Sequence, residues 1–162
     1  DFNLMDTLTV RDNILLPLFV DRLAIDNMEE RLAHVANILG ITAILSSYPN
    51  AISIGQKQRV AAARALITKP KIIFADEPTG SLDSKSAAEL LQYMTEMNLQ
   101  DDATIMMVTH DPYTASYCNR ILFIKDGVIF SEVVRQGSRK EFFNRVIDMQ
   151  ATIGGGGRAN DF

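Results

Sequence analysis

The sequence has few features that would set it apart from ordinary globular proteins. Its single cysteine, Cys118, excludes a disulfide framework within the chain and is typical of a reducing compartment. The net charge of −4 argues against a nucleic-acid-binding surface, which needs a basic stripe. No apolar run approaches the roughly 20 residues that span a bilayer, and the first residues lack the basic segment of a signal peptide. The 162 residues are enough for one globular domain.

A phosphate-binding loop of the pattern G-x-x-x-x-G-K-[ST] is also absent from these residues. The one glycine-rich stretch, Gly154 to Gly157, has no Lys-Ser or Lys-Thr after it. We therefore interpret this stretch as a flexible linker and not as a nucleotide loop.

The stretch that organises the chain is KIIFADEPTGSLD, residues 71–83. Its apolar first half predicts a strand buried on both faces. The strand ends in Asp76 and Glu77, followed by turn-forming residues. Carboxylates at the carboxyl end of a parallel strand lie where open α/β sheets bind their ligands. Because neighbouring strand residues point to opposite faces, we expect one acid to hold a metal and the other to polarise a water.

Two further stretches fit a phosphate-binding site. Residues 52–66, ISIGQKQRVAAARAL, predict a helix that Ser53 caps and that begins near Gly55. The N-terminus of a helix presents unpaired N–H groups and a partial positive charge, so it attracts phosphate. Residues 104–111, TIMMVTHD, predict a second apolar strand that ends in His110.

Together these stretches resemble the ATP-binding cassette (ABC) ATPases. Residues 52–66 are similar to the family's signature motif, 72–78 to its Walker B strand, 80–83 to its D-loop and 108–111 to its switch histidine. The four motifs occur in the family's order and spacing over nearly the whole chain. The resemblance implies an α/β fold: a partial P-loop NTPase with a helical subdomain and the C-terminal part of a mostly parallel core sheet.

The family's functional residues carry over to seven positions. The resemblance implies catalysis by Glu77, which would activate or orient a water, and by His110, which would reach the γ-phosphate of ATP. It implies Mg²⁺ binding by Asp76. It implies nucleotide contacts, within a composite site shared by two subunits, for Ser53, Gly55, Gln56 and Asp83.

The resemblance also implies partners and a location. ABC ATPases form head-to-tail dimers that sandwich ATP, and they dock on transmembrane permease subunits at the cytoplasmic face of the bacterial plasma membrane. Residues 116–162 look most like ATPases of the bacitracin-resistance type, within a wider group of lipoprotein-release and macrolide-export ATPases. We therefore expect peptide-antibiotic export or resistance, with no nucleic-acid partner.

Ile54 departs from the family pattern, which has a glycine at this position of the signature. A branched side chain restricts the backbone and adds bulk beside a phosphate site. If the position needs a positive φ or a close contact, the cost is on the order of 1–3 kcal/mol. We expect weakened function rather than its loss.

The expected organisation is a single incomplete ABC ATPase domain that lacks the Walker A portion. Its parts are a helical subdomain over about 1–68, the core sheet over about 69–137, a C-terminal helix over about 138–150 and a flexible tail over 151–162. Within these parts the patterns predict a helix from Thr9 to about Val20, a helix capped by Asn27 and Glu30 and ended by Gly40, and a helix over about 84–98. They also predict a hairpin that turns at Asp126-Gly127. A last helix is capped by Ser138 and Glu141, and its apolar face carries Phe142, Phe143, Val146, Ile147 and Met149.

Two alternative functions stay open at the level of the sequence. One is a soluble ABC ATPase that acts on DNA or ribosomes, against which the acidic charge and the absence of coiled-coil heptads argue. The other is a truncated, non-catalytic fragment, which the missing phosphate loop and Ile54 favour.

Overall fold

A computed structural model describes residues 2–20 and 25–155. Its contacts divide the chain into two compact units, Asp1–Met107 and Val108–Phe162, and each is described by itself. The helices and strands of the first unit are α1 (Val10–Val20), α2 (Ile25–Ile38), α3 (Ile54–Leu66), β1 (Ile72–Asp76), α4 (Ser84–Gln100) and β2 (Thr104–Val108), the last of which runs one residue past the division. Those of the second unit are α5 (Pro112–Ala115), β3 (Arg120–Lys125), β4 (Val128–Val134) and α6 (Arg139–Gly155).

The first unit is held together by a helical core on one face of a two-stranded sheet. β1 and β2 are hydrogen-bonded neighbours joined through α4, the kind of crossover that parallel strands require. Ile73, Ala75, Ile105 and Met107 pack from the sheet against buried side chains of the four helices. This mixture of helices and small sheets confirms the predicted α/β class.

The prediction that the first strand is buried on both faces is wrong. Ile72 and Phe74 of β1 have exposed fractions of 60% and 76%, and Met106 and Val108 of β2 are each 62% exposed. Among the described residues, the helices contact only one face of this sheet, the face that carries Ile73, Ala75, Ile105 and Met107. An uninterrupted apolar run cannot reveal this, because it looks the same whether one face or both are covered.

α1 begins where the sequence predicts and is tied to the loop before it. Thr9 and Asp12 bond reciprocally, with Asp12 N–H donating to Thr9 Oγ1 at 3.1 Å. Asn13 is fully buried, and its side-chain amide donates to the carbonyls of Met5, Leu8 and Thr9. A buried amide that satisfies its hydrogen bonds in this way fixes the path of the chain into the helix.

The capping box predicted at Asn27 and Glu30 is wrong. α2 begins at Ile25, so Asn27 lies inside the helix. A helix that buries an apolar stripe gains more from tertiary packing than from one cap, so the pattern at Asn27 does not set its start. Gly40, with φ of +62°, stands just past α2 in the left-handed conformation expected of a C-terminal cap.

The second unit is built on the hairpin that the sequence predicts. β3 and β4 pair antiparallel with Lys125 opposite Val128 and Arg120 opposite Val134. Asp126 and Gly127 both have positive φ, 51° and 78°, as a two-residue hairpin turn requires.

α6 covers this hairpin with one apolar face. Phe142 and Val146 are buried together with Ala115, Phe123 and Val133. Ser138 and Glu141 form the predicted cap, with Ser138 N–H donating to Glu141 Oε2 at 2.8 Å and Glu141 N–H to Ser138 Oγ at 3.3 Å.

Two details of the C-terminal helix differ from the expectation. α6 continues to Gly155 instead of ending near residue 150, and Ile147 is 40% exposed rather than buried. Residues 156–162, the greater part of the predicted tail, lie outside the described residues. The boundaries predicted near residues 68 and 137 stay a prediction.

We expect Phe142→Ala to lower the free energy of unfolding of the second unit by about 3–5 kcal/mol, because it empties a fully buried site. The control is Phe130→Ala, which removes a ring that is 49% exposed and should cost less than about 1 kcal/mol. Urea denaturation followed by circular dichroism measures both. Equal losses would contradict this description of the core.

Candidate functional site

The two acids after β1 lie on differently shaped pieces of backbone. β1 ends at Asp76, which is exposed, and Glu77 follows with φ of 44° in the left-handed region. Glu77 is half-buried, and its carbonyl accepts from Gly80 N–H at 3.1 Å. Glu77 therefore lies on a backbone turn beyond the strand, and the alternation of strand side chains considered from the sequence does not extend to it.

The loop that follows leads into a firmly capped helix. Asp83 Oδ1 accepts from the amides of Lys85 at 3.0 Å and Ser86 at 3.1 Å, and Ser86 Oγ donates to Asp83 Oδ2 at 2.7 Å. The hydrogen bonds from the Ser86 amide and hydroxyl, with that from Lys85, hold the pKa of Asp83 below its ordinary value. Asp83 is thus a charged cap of α4 within its own chain.

The signature stretch forms a reciprocal cap at the start of α3. Ser53 Oγ accepts from Gln56 N–H at 3.2 Å, and Gln56 Oε1 accepts from Ser53 N–H at 2.8 Å. This confirms the predicted capping role of Ser53. It also gives Gln56 a structural task, because its side-chain oxygen is occupied by the backbone.

The cap leaves two backbone donors at the tip of the helix. Lys57 N–H bonds to Ser53 O, so three of the amides at this end are satisfied. In the part of the chain that the structure describes, no hydrogen bond uses the amide of Ile54 or Gly55. These two N–H groups can donate outward, together with the hydroxyl hydrogen of Ser53. An anion at such a helix end gains about 0.3–1 kcal/mol at an exposed position.

Gly55 places this helix end beside the loop that follows the two acids. A Cβ built on Gly55 would lie 3.8 Å from Ser81 Cβ, an ordinary contact, and its φ is not positive. Neither backbone conformation nor neighbours within the chain therefore require glycine here. Ser81 was not predicted as a site residue, since nothing in the sequence shows that residues 55 and 81 adjoin.

Ile54 is the first residue of α3, and its side chain is 75% exposed. Its φ is not positive, so the strain considered from the sequence does not arise. What remains is a bulky apolar group projecting from the helix end next to the two outward amides.

His110 belongs to the second unit. It is exposed at the junction between β2 and α5, where Asp111 caps α5. Partial burial alone would raise the pKa of Asp111, but hydrogen bonds from the hydroxyl and amide of Thr114 and the amide of Tyr113 outweigh it and lower the pKa. Within the first unit the structure groups Ser53, Gly55 and Gln56 with the loop at residues 80–83. Within the second unit it places His110 beside the capped start of α5.

The described residues contain no group of three or more His, Cys, Asp or Glu side chains that could hold a metal ion by themselves. A single carboxylate such as Asp76 nevertheless suits Mg²⁺, which is commonly held by one or two carboxylates, waters and substrate phosphates. None of the helices described is long and apolar enough to cross a membrane.

Outward amides at a helix end suit a phosphate group, and acids after a β-strand of an α/β framework suit the Mg²⁺ that accompanies it, so the class of protein indicated is one that binds nucleotide phosphates. The comparison with known families makes this specific: residues 1–80 match the family described as ABC transporter, and the chain belongs to the ATP-binding domains of that family.

Two relatives show how far the similarity extends. The chain is 52% identical over 156 residues to the bacitracin export ATP-binding protein BceA of Halalkalibacterium halodurans, covering 96% of this chain and 62% of that protein. It is similar to the dimeric structure of the ABC transporter cassette MJ0796, a protein of Methanocaldococcus jannaschii, with a TM-score of 0.73, 36% identity and coverage of 85% of this chain and 61% of that one.

A further MJ0796 structure, described as a post-hydrolysis dimer bound to ADP and Pi, matches with a TM-score of 0.72 and 35% identity over 85% of this chain and 61% of that one. The chain therefore spans somewhat less than two thirds of the length of the relatives it matches.

We expect Gly55→Ala to affect stability and function in opposite directions. Alanine should stabilise the helix by up to about 1 kcal/mol, because it has the higher helix propensity and meets no close neighbour. The same methyl group should weaken phosphate contact at the outward amides. Urea unfolding of the chain tests the first effect, and ATP turnover in a cassette that contains the chain tests the second.

The matched control is Gly127→Ala, where φ of +78° should make alanine destabilising. A Gly55→Ala variant that unfolds more easily than the original chain would show that the helix end is packed more tightly than described.

Proposed function

We propose that this chain is part of the ATP-binding and ATP-hydrolysing subunit that powers an ABC transporter. The observation that carries the proposal is the tip of α3, where a reciprocal cap leaves two amides and a hydroxyl facing outward. Membership of the ABC family and similarity to a cassette bound to ADP and Pi support ATP as the ligand.

The tip of α3 serves the ATP that a second subunit holds. The amides of Ile54 and Gly55 and the Ser53 hydroxyl donate to the γ-phosphate, while Gln56 keeps the cap in place. Two subunits meet head to tail, and Asp83 connects the two sites across the interface. The dimeric MJ0796 structure supports this assembly, because it matches 85% of the chain.

The acids after β1 and the switch histidine serve the reaction. Glu77 orients the attacking water and accepts its proton, and it lies on a left-handed turn directly after the strand that ends at Asp76. Asp76 would hold Mg²⁺, which supplies charge neutralisation on the phosphates. His110 positions the γ-phosphate. Phosphoryl transfer depends mainly on such positioning and charge stabilisation, so residues on fixed turns suit it.

The transported substrate is assigned by analogy with the relatives. BceA is described as a bacitracin export protein, which supports export of, or resistance to, peptide antibiotics. In this role the chain docks on transmembrane permease subunits at the cytoplasmic face of the plasma membrane. The net charge of −4 argues against a nucleic-acid partner, and we expect co-purification with permease subunits.

We expect the 162-residue chain by itself to show no calorimetric binding of MgATP and no turnover, because its sequence holds no phosphate loop. In a cassette where these residues follow a phosphate-loop segment, turnover should appear. There Glu77→Gln should lower kcat by about 10²–10⁴-fold, because it removes the base, while ATP binding persists.

The control for this experiment is Glu89→Gln, which neutralises an acid on α4 whose ion pair, within the described residues, is with Lys85 at 3.8 Å. Full activity of Glu77→Gln would refute the catalytic assignment. Multiple turnover by the 162-residue chain alone would refute the requirement for a phosphate loop and favour a site not recognised in the sequence.

We expect Ile54→Gly to raise kcat/KM for ATP on the order of tenfold in the same cassette. The exposed side chain projects beside the two outward amides, where it would obstruct an approaching phosphate. A tenfold change corresponds to about 1.4 kcal/mol of transition-state stabilisation. Steady-state ATPase rates at a range of ATP concentrations measure the change.

The variant Ile54→Ala tests whether the effect of Ile54→Gly comes from the lost side-chain bulk or from the backbone freedom of glycine. Alanine shortens the side chain but keeps the helix propensity high. If bulk is the cause, alanine should recover much of the gain of glycine. Unchanged activity in both variants would show that Ile54 is compatible with full function.

A further inference from the structure

The turn that carries His110 is fixed on its C-terminal side by α5. Asp111 accepts from Tyr113 N–H at 3.1 Å, from Thr114 N–H at 3.0 Å and from Thr114 Oγ1 at 2.6 Å. Asp111 N–H in turn donates to Thr109 Oγ1 at 3.1 Å. The backbone on both sides of His110 is therefore locally ordered, although its own side chain is exposed.

α6 contacts this turn through aromatic stacking at its first residue. The guanidinium of Arg139 lies 4.3 Å from the ring centre of Tyr117 and 5.3 Å from that of Tyr113. The two tyrosine hydroxyls are 3.0 Å apart. Stacking of this kind, with burial of the adjoining Ala115 against Phe142, attaches α5 to α6.

A second contact lies eleven residues further along α6. Gln150 Nε2 donates to the backbone carbonyl of His110 at 3.2 Å. The helical rise places Gln150 roughly 16 Å from Arg139 along the axis. One rigid helix, anchored in the core by Phe142 and Val146, thus contacts the histidine turn at two separated points.

We propose that Gln150 is a positioning residue for His110, and that α6 sets the placement of the histidine through it. The inference rests on the proposed function, since it gives His110 its catalytic role. The imidazole is exposed, so its placement depends on the backbone from which it projects. A donor on a core-anchored helix restrains that backbone at the histidine itself.

Two variants of Gln150 isolate the hydrogen bond in the 162-residue chain. Gln150→Glu keeps the length of the side chain but removes its donor, and Gln150→Ala removes the whole group. The matched control is Asn144→Ala, which removes an exposed polar side chain from the same helix. Among the described residues, the Asn144 side chain makes no hydrogen bond to the turn.

We expect both Gln150 variants to shift the carbonyl ¹³C resonance of His110 and to lower the order parameter of its ring, measured by NMR relaxation. Asn144→Ala should leave both unchanged. A general loss of stability would shift resonances throughout the hairpin as well, so the hairpin amides report folding separately. An unaltered His110 carbonyl in both Gln150 variants would overturn the proposal.

The functional consequence is measured in an ATP-hydrolysing cassette that contains the chain. We expect Gln150→Glu and Gln150→Ala to lower kcat about three- to tenfold, the effect of one net hydrogen bond, with KM for ATP unchanged. Asn144→Ala should keep full kcat.

The variant His110→Ala distinguishes a failure of the positioning proposal from a failure of the proposed role of His110. If it abolishes turnover while both Gln150 variants retain full kcat, the positioning proposal alone is overturned. If His110→Ala leaves kcat unchanged, the proposed role of His110 fails, and positioning of a catalytic histidine fails with it.

Discussion

Burial of a single face of the β1–β2 sheet is the constraint on which the first unit depends. Ile73, Ala75, Ile105 and Met107 have their apolar surface removed from water only because four helices pack on that side. The same packing fixes where β1 ends, and hence where Asp76 and Glu77 leave the strand. It also brings the start of α3 next to the loop that follows them.

The signature stretch combines a structural task with a binding task in a few residues. Ser53 and Gln56 satisfy each other's amides, while the amides of the two residues between Ser53 and Gln56 have no hydrogen-bond partner in the described chain. A helix end at which some amides are hydrogen-bonded within the chain keeps a defined shape, and its remaining amides can still donate to an anion. Ile54 sits at this point without backbone strain, so its influence is on what approaches from outside.

The second unit has a smaller core than the first. The hairpin needs α6 to cover Phe123 and Val133, since a two-stranded hairpin alone is marginally stable in water. Once anchored, α6 brings Arg139 and Gln150 to the turn that carries His110. A helix present for stability can thereby also hold a functional turn.

The sequence by itself determined what depends on local chemistry. Caps at Thr9, Ser53 and Ser138 and the turn at Asp126-Gly127 follow from side chains and backbone preferences within a few residues. The family motifs were readable for the same reason. Tertiary structure alone decided which sheet face is covered, where α2 begins, and that Gly55 adjoins Ser81 and Gln150 adjoins His110. The last two contacts join residues 26 and 40 positions apart, and the other two outcomes also depend on packing between distant segments, which no local pattern encodes.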